Sequence, residues 1–232
     1  MKKETGTRLA KAAGLCLALL LILFSAAVSV YAIAGNGELL ASEMLRCAPP
    51  EVTGLPAAEY AGVCRMTADY LTDRAAAFQY PYSDEKGNTF SCFQPHEAAH
   101  MADCRGLIRL AGTLRWVCGG AALALLAAGV LLKQYRRAMA EGAIPGLRIA
   151  GVLGAGLLIW GLIDFDSLFI AFHRLAFDND GWLLDDRTDL LIRLMPTDFF
   201  ISLALRWLAA MLAGAALTRI AAQLCRGKEH EA

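Results

Sequence analysis

Histidines are scarce in this chain, so their neighbours carry information. Of the four, His96 and His100 lie in PHEAAHMADC (95–104), His173 lies in DFDSLFIAFHRLAFDNDGWLLDDRTDLLIRLMP (164–196), and His230 lies near the C-terminus. Glu97, His100 and Asp103 are spaced three apart, so a helix lines them along one side. An imidazole, with an ordinary pKa of about 6.5, takes up and returns protons near neutral pH. Carboxylates beside it can orient the ring and fix its tautomer. Asp166 precedes His173 by seven residues and points almost the same way on a helix. The chemistry read from this set is general acid–base work by His100 and His173, with Glu97, Asp103 and Asp166 in support.

The same letters permit another reading. His96-Glu97-x-x-His100 spells the zinc-protease signature: two histidines one turn apart, Glu97 as base, and His173 or an aspartate as third ligand. A blander reading makes Glu97, His100 and Asp103 a solvated polar face, and the chain a non-catalytic membrane scaffold or sensor. Asp178-x-Asp180-Gly181 faintly echoes a calcium loop but lacks its remaining ligand positions, so it reads as a turn. No phosphate-binding glycine loop, serine elbow or basic nucleic-acid patch is found in the sequence. The favoured reading therefore expects no metal, no cofactor and no nucleic-acid partner.

The elements that must position these groups are written in the hydropathy. The chain is 57% hydrophobic with a mean hydropathy of +0.45. Four apolar runs, at 12–34, 114–132, 147–165 and 198–218, each approach the ~20 residues a helix needs to cross a bilayer. The first run ends in Ala32-Ile33-Ala34, which resembles a signal-peptide cleavage site. Its apolar length favours an uncleaved anchor, and Leu15 before Cys16 argues against an acylation site. The N-tail (1–11), the connection 133–146 with its flank to Arg148, and the C-tail (219–232) hold 11 of the 22 basic residues but only four acidic ones. Positive segments stay cytoplasmic. The expected fold is thus an all-α membrane protein with four transmembrane helices and both termini cytoplasmic. An outward domain spans 35–113, and a second outward segment, 166–197, joins helices three and four.

Within 35–113, Pro49, Pro50, Gly54 and Pro56 break the chain, and a helical pattern resumes through Tyr60, Val63, Met66, Tyr70 and Leu71. YPYSDEKGNTF (80–90) reads as a loop or short hairpin, with Lys86-Gly87-Asn88 as turn. Pro95 suits a first helical turn, and the helix runs on toward the second span with Gly106 or Gly112 as flex points. Cys47, Cys64, Cys92 and Cys104 fall in this outward domain, where two disulfides of open pairing are expected; unpaired or metal-binding thiols are the alternative. Cys16, Cys118 and Cys225 read as small packing residues. In 166–197, Phe165, Leu168, Phe169, Phe172, Leu175 and Ala176 make an apolar stripe on a helix suited to lie along the bilayer interface, with His173 at its edge. Asn179-Asp180-Gly181 makes a turn, and Trp182 is a natural interface anchor. Arg206, inside the fourth span, is an intramembrane charge that pairs with an acid, meets a polar lipid group, or snorkels.

Two motifs carry a resemblance. Glu97-Ala98-Ala99-His100-Met101-Ala102-Asp103, followed by Cys104-Arg105-Gly106-Leu107, and the long segment 163–200 together resemble the bacterial lipoprotein intramolecular transacylase family of four-span membrane enzymes. With the hydropathy plan, the resemblance covers nearly the whole chain, though 35–90 match only in kind. It implies transfer of the sn-2 acyl chain of a diacylglyceryl-modified lipoprotein to the α-amine of its N-terminal cysteine, giving a lyso-form lipoprotein. It implies His100 and His173 as catalytic residues. Met101, Phe169, Phe177, Asn179, Asp180, Trp182, Asp185, Arg187, Asp189 and Arg193 are implied as substrate-binding or structural motif positions. The implied partners are the diacylated lipoprotein N-terminus and membrane lipids, and the implied place is the bacterial cell membrane with the site on the extracytoplasmic side. His96 is not required by the family motif. Cys104 stands where an aliphatic residue is usual, and Asp186 where a proline is common.

Overall fold

The computed structural model describes residues 2–83, 87 and 89–227. Lys86 and Asn88 of the expected turn, and the tail with Lys228 and His230, lie outside the described residues. The long apolar runs form four helices: α1 (Lys2–Ala34), α5 (Pro95–Leu131), α6 (Arg136–Ile163) and α9 (Thr197–Gly227). Each is long and apolar enough to cross a membrane. Between them lie α2 (Gly37–Cys47), α3 (Pro50–Thr53), α4 (Tyr60–Leu71), α7 (Phe165–Ala176) and α8 (Leu190–Leu194). A two-stranded antiparallel hairpin, β1 (Pro81–Ser83) with β2 (Thr89–Ser91), pairs Tyr82 with Phe90. The chain divides into two compact units.

One unit takes Met1–Ser29, Gly112–Leu162 and Leu208–Ala232. Here the expected loop 133–146 is mostly helical: a single 3-10 turn at 133–135 leads into α6, which carries Pro145 in its interior. A proline there removes one backbone hydrogen bond. What holds this stretch is its contact with α1. A Cβ added at Gly142 would run into the backbone of Lys11, and one at Gly14 into the backbone of Met139, so the two helices approach main chain to main chain. Buried Ala18, Ala140 and Ala143 continue this small-residue seam, and Lys11 Nζ meets Glu141 Oε2 at 3.1 Å beside it.

The other unit takes Val30–Ala111 and Ile163–Trp207, and it holds both histidines of interest. Its apolar core includes Leu40, Met44, Leu55, Tyr60, Val63, Phe78, Phe93, Met101, Leu194 and Phe199, with α2 packed on α4. Tyr60 is fully buried, and its hydroxyl lies 2.7 Å from Thr53 Oγ1 and donates to the Ala48 carbonyl. Glu43 on α2 is buried and meets Arg46, Ser202 and Arg206, so the arginine of the fourth long helix finds an acid. The Arg46 hydrogen bond outweighs the cost of burial, and with Ser202 and Arg206 holds the Glu43 carboxyl down to about 2.

The expected disulfides are not there. All seven cysteines, including Cys47, Cys64, Cys92 and Cys104, are free thiols. Cys64 Sγ packs 3.2 Å from Met44 Sδ in the core, while Cys104 Sγ sits 3.5 Å from His100 Nε2.

Glu97 does the positioning. It lies in the first turn of α5, is fully buried, and its Oε2 accepts from the Gln94 amide at 2.7 Å, half of a capping box. Its Oε1 accepts from the Leu191 amide at 2.7 Å, tying α8 to α5. A second bond set completes the tie. Asp189, which precedes α8, accepts from His96 Nε2 at 3.0 Å, the Asp185 amide at 2.9 Å and Thr188 Oγ1 at 2.9 Å. Burial pushes the Asp189 carboxyl up, but those donors together hold it below its ordinary value. Glu97→Ala leaves the buried Leu191 amide unpaired, at a cost of about 1–3 kcal/mol, and also frees the part-buried Gln94 amide. Thermal unfolding in detergent should show a clear loss of stability; an unchanged melting temperature would contradict the assignment. Gly142→Leu should likewise destabilise the first unit, by about 1–3 kcal/mol or more, read in the same melt.

Candidate active site

His100 and His173 arrive from segments far apart in the sequence, and their ring centroids lie 6.1 Å apart. His100 stands one turn beyond the start of α5, on the side that carries Glu97. His173 comes from α7, whose start is capped by Asp164 Oδ1 accepting the Ser167 amide at 2.9 Å. Asp103 Oδ2 accepts from Asn179 Nδ2 at 3.0 Å, holding α5 to the turn after α7. That turn is closed by Asn179 Oδ1 accepting the Gly181 amide at 2.8 Å, so Asp178, Asn179 and Asp180 form a turn and not a calcium loop.

Among the described residues of α7, His173 is the one that is buried, 7% exposed, while Phe172 is 51% and Leu175 88% exposed. Aromatic rings surround it: Phe169 at 4.0 Å, Trp182 at 5.1 Å, Phe172 at 5.4 Å and Phe177 at 5.6 Å. Phe177 also meets His100 edge-on at 5.4 Å. His173 Nδ1 lies 2.8 Å from the Phe169 carbonyl oxygen. A carbonyl only accepts, so Nδ1 carries the hydrogen, and the neutral ring keeps its lone pair on Nε2.

Burial lowers the pKa of His173 below its ordinary value, against a small upward pull from the Phe169 carbonyl. Burial also lowers His100, helped by nearby His173 and opposed by Asp103. Both rings are therefore neutral over a wider range than a free imidazole. His100 is 8% exposed, and its Nδ1 is buried with no partner among the described residues. A shallow cleft of about 300 Å³ adjoins the cage, lined by Arg174, Phe177, Asp178, Asn179, Asp180, Trp182 and Leu183. A larger cleft of about 600 Å³, around Gly35–Glu38 and Arg65, includes no histidine in its lining.

The remaining expected residues fall into two groups. Met101 is core, and Phe169 meets Phe200 in a tilted contact at 4.9 Å. Asp185 and Arg187 pair with each other at 2.7 Å on the surface, and Arg193 Nε donates to the Asp189 carbonyl. Asp166 accepts from Thr197 Oγ1 at 3.1 Å, which anchors α7 to the start of α9. Glu97, as above, holds backbone and does not orient a ring. His96 is taken by Asp189, and among the described residues no three His, Cys, Asp or Glu side chains are grouped to hold a metal. Glu97, the base of the zinc reading, is engaged by two main-chain amides, and His96 Nε2 by Asp189. The Cys104 contact with His100 was not anticipated. The four-residue spacing on one helix is the signal that carries it.

Among curated proteins no relative matches at a significant level. The structure of the membrane integral lipoprotein intramolecular transacylase Lit from Bacillus cereus superposes with a TM-score of 0.79 at 19% identity, covering 97% of this chain and 99% of that one. Two further structures of the Bacillus cereus protein, with one histidine changed to arginine or to alanine, superpose with TM-scores of 0.73 at 18% identity, covering 99% and 100% of this chain and 97% and 100% of theirs. Residues 14–200 match the profile of the lipoprotein intramolecular transacylase Lit family. A multi-pass membrane protein with this profile over most of its length belongs to that family.

Proposed function

We propose that this chain moves the sn-2 acyl chain of a diacylglyceryl-modified lipoprotein to the α-amine of the lipoprotein's N-terminal cysteine, leaving a lyso-form product. Family membership supports the reaction class. The observation that carries the mechanism is the pair of buried imidazoles 6.1 Å apart, one of them with its Nδ1 held against the Phe169 carbonyl.

The free amine, with pKa near ~8, is only about a tenth neutral at pH 7. Once neutral it attacks the ester carbonyl, and the new N–C bond makes its N–H acidic. His173 Nε2 takes that proton. As the carbonyl–oxygen bond to glycerol breaks, His173 returns the proton to the departing oxygen. His100 donates a hydrogen bond to the oxygen that becomes negative, a role worth several kcal/mol in a dry site. Because amine and ester belong to one molecule, their proximity replaces capture of a second substrate. Neither a covalent acyl-enzyme nor a metal enters this scheme. Asp103 and Asn179 keep the rings in register, while Glu97 and Asp166 hold the helices that bear them.

The site lies at the outer headgroup level in this reading, with both chain termini cytoplasmic as the charge distribution supports. An α7 that buries its histidine and exposes Ile170, Phe172 and Leu175 suits a helix lying against lipid. The diacylated N-terminus then reaches the rings from the membrane, with Trp182 and the cleft beside it accommodating the polar head.

Mass spectrometry of an N-terminal lipopeptide, from cells with and without this protein, tests the reaction. The expected product carries one acyl group on nitrogen and one on glycerol. His100→Ala and His173→Ala should each lower conversion by roughly 10²–10⁴-fold; full conversion by either removes the dyad. His96→Ala should cost far less, acting through the Asp189 contact alone. The pH profile follows from the lowered imidazole values. Protonation of the substrate amine already slows the reaction below about pH 8. The neutral rings are the working forms, so the additional, steeper fall that their protonation brings should begin only below pH 6.5, the ordinary imidazole value. A steepening that begins above that point would contradict the burial argument.

A further inference from the structure

We propose that Cys104 is a positioning residue for this reaction: its thiol donates to His100 Nε2 and so fixes the ring hydrogen on Nδ1, the nitrogen offered to the substrate. The proposal rests on the functional reading of the His100–His173 pair. Cys104 follows His100 by four residues on α5, one turn further along the same side, and Sγ to Nε2 is 3.5 Å, within range of a sulfur hydrogen bond.

Two observations point in one direction. A neutral imidazole carries one hydrogen, so a nitrogen that accepts from a thiol leaves the hydrogen on the other. That other nitrogen, His100 Nδ1, is buried and has no partner among the described residues, on a residue that is itself 8% exposed. A buried donor left open costs free energy unless a ligand satisfies it. The ester oxygen that turns negative during acyl transfer is such a ligand. His173 shows the complementary case: its Nδ1 is committed to the Phe169 carbonyl, so Nε2 shows a lone pair. One ring then offers a lone pair and the other an N–H. Two lone pairs facing the developing oxyanion would repel it.

The competing role for a thiol beside a histidine is nucleophile. Burial pushes the Cys104 thiol up to about 12. At neutral pH its thiolate fraction is then roughly 10⁻⁵. The same burial keeps the S–H in place to donate.

The test uses full-length protein in lipid nanodiscs, labelled with ¹⁵N-histidine, and the His100 signals are assigned from the spectrum of His100→Gln. Protein with Cys104 should show His100 protonated at Nδ1 and unprotonated at Nε2. Cys104→Ala should give a tautomer mixture, and its kcat for lyso-form production should fall about three- to tenfold, the worth of one net hydrogen bond, with KM unchanged. Cys104→Ser, which keeps a donor, should retain the Nδ1–H tautomer and most of the rate. The proposal is overturned if Cys104→Ala leaves the His100 tautomer as it was, if the starting protein carries the hydrogen on Nε2, or if Ser and Ala variants lose rate equally. The tautomer measurement needs no substrate, so it decides this point even if the protein produced no lyso-form lipoprotein.

Discussion

The histidine-bearing unit depends on how one buried carboxyl group is satisfied. Glu97 is sealed from solvent and has no cationic partner in its hydrogen bonds; two main-chain amides, from Gln94 and Leu191, take its two oxygens. One bond closes the first turn of α5 and the other reaches 94 residues along the chain to α8. Removing either amide from reach leaves a polar atom in an apolar core, so the two segments must come together or neither folds well. His100, one turn along α5, inherits its place from that arrangement. His96 and Asp189 strengthen the same junction from its outer side.

A second constraint follows from what lies around the rings. Phe169, Phe172, Phe177 and Trp182 surround His173, and the burial they bring holds the ring below its ordinary pKa. Under the proposed function, rings that begin and end neutral carry the proton, and the same burial limits water beside a bound ester. The carbonyl of Phe169 holds His173 Nδ1, and the side chain of Asn179 joins Asp103 on α5 to the turn after α7.

Much of this was legible in the sequence, for identifiable reasons. The four long helices follow from hydropathy, because a run of twenty apolar residues has few other uses. The grouping of Glu97, His100 and Asp103 follows from helical spacing, and the Asn179–Gly181 turn from side-chain chemistry. What spacing gives is a shared face, not a partner. It placed Glu97 beside His100 but could not reveal that Leu191 would claim it. It placed Asp166 in line with His173, although Thr197 takes that carboxylate. The helical stretch across 133–146 was hidden by Pro145 and its basic residues, since the contact of Gly142 with α1 is tertiary. The cysteines misled for a related reason: their number and compartment suggested cross-links, whereas pairing depends on distances that composition does not encode.

Seven unpaired thiols have an implication for how this molecule comes into being. A domain knitted by sulfur bridges must await an oxidant and, often, an isomerase to sort its pairs. Here cohesion comes from noncovalent contacts such as Tyr60 in its sealed pocket, Cys64 against Met44, and the Glu43–Arg206 link. Maturation can therefore proceed under reducing conditions, and a cell without oxidative folding machinery could still assemble the protein.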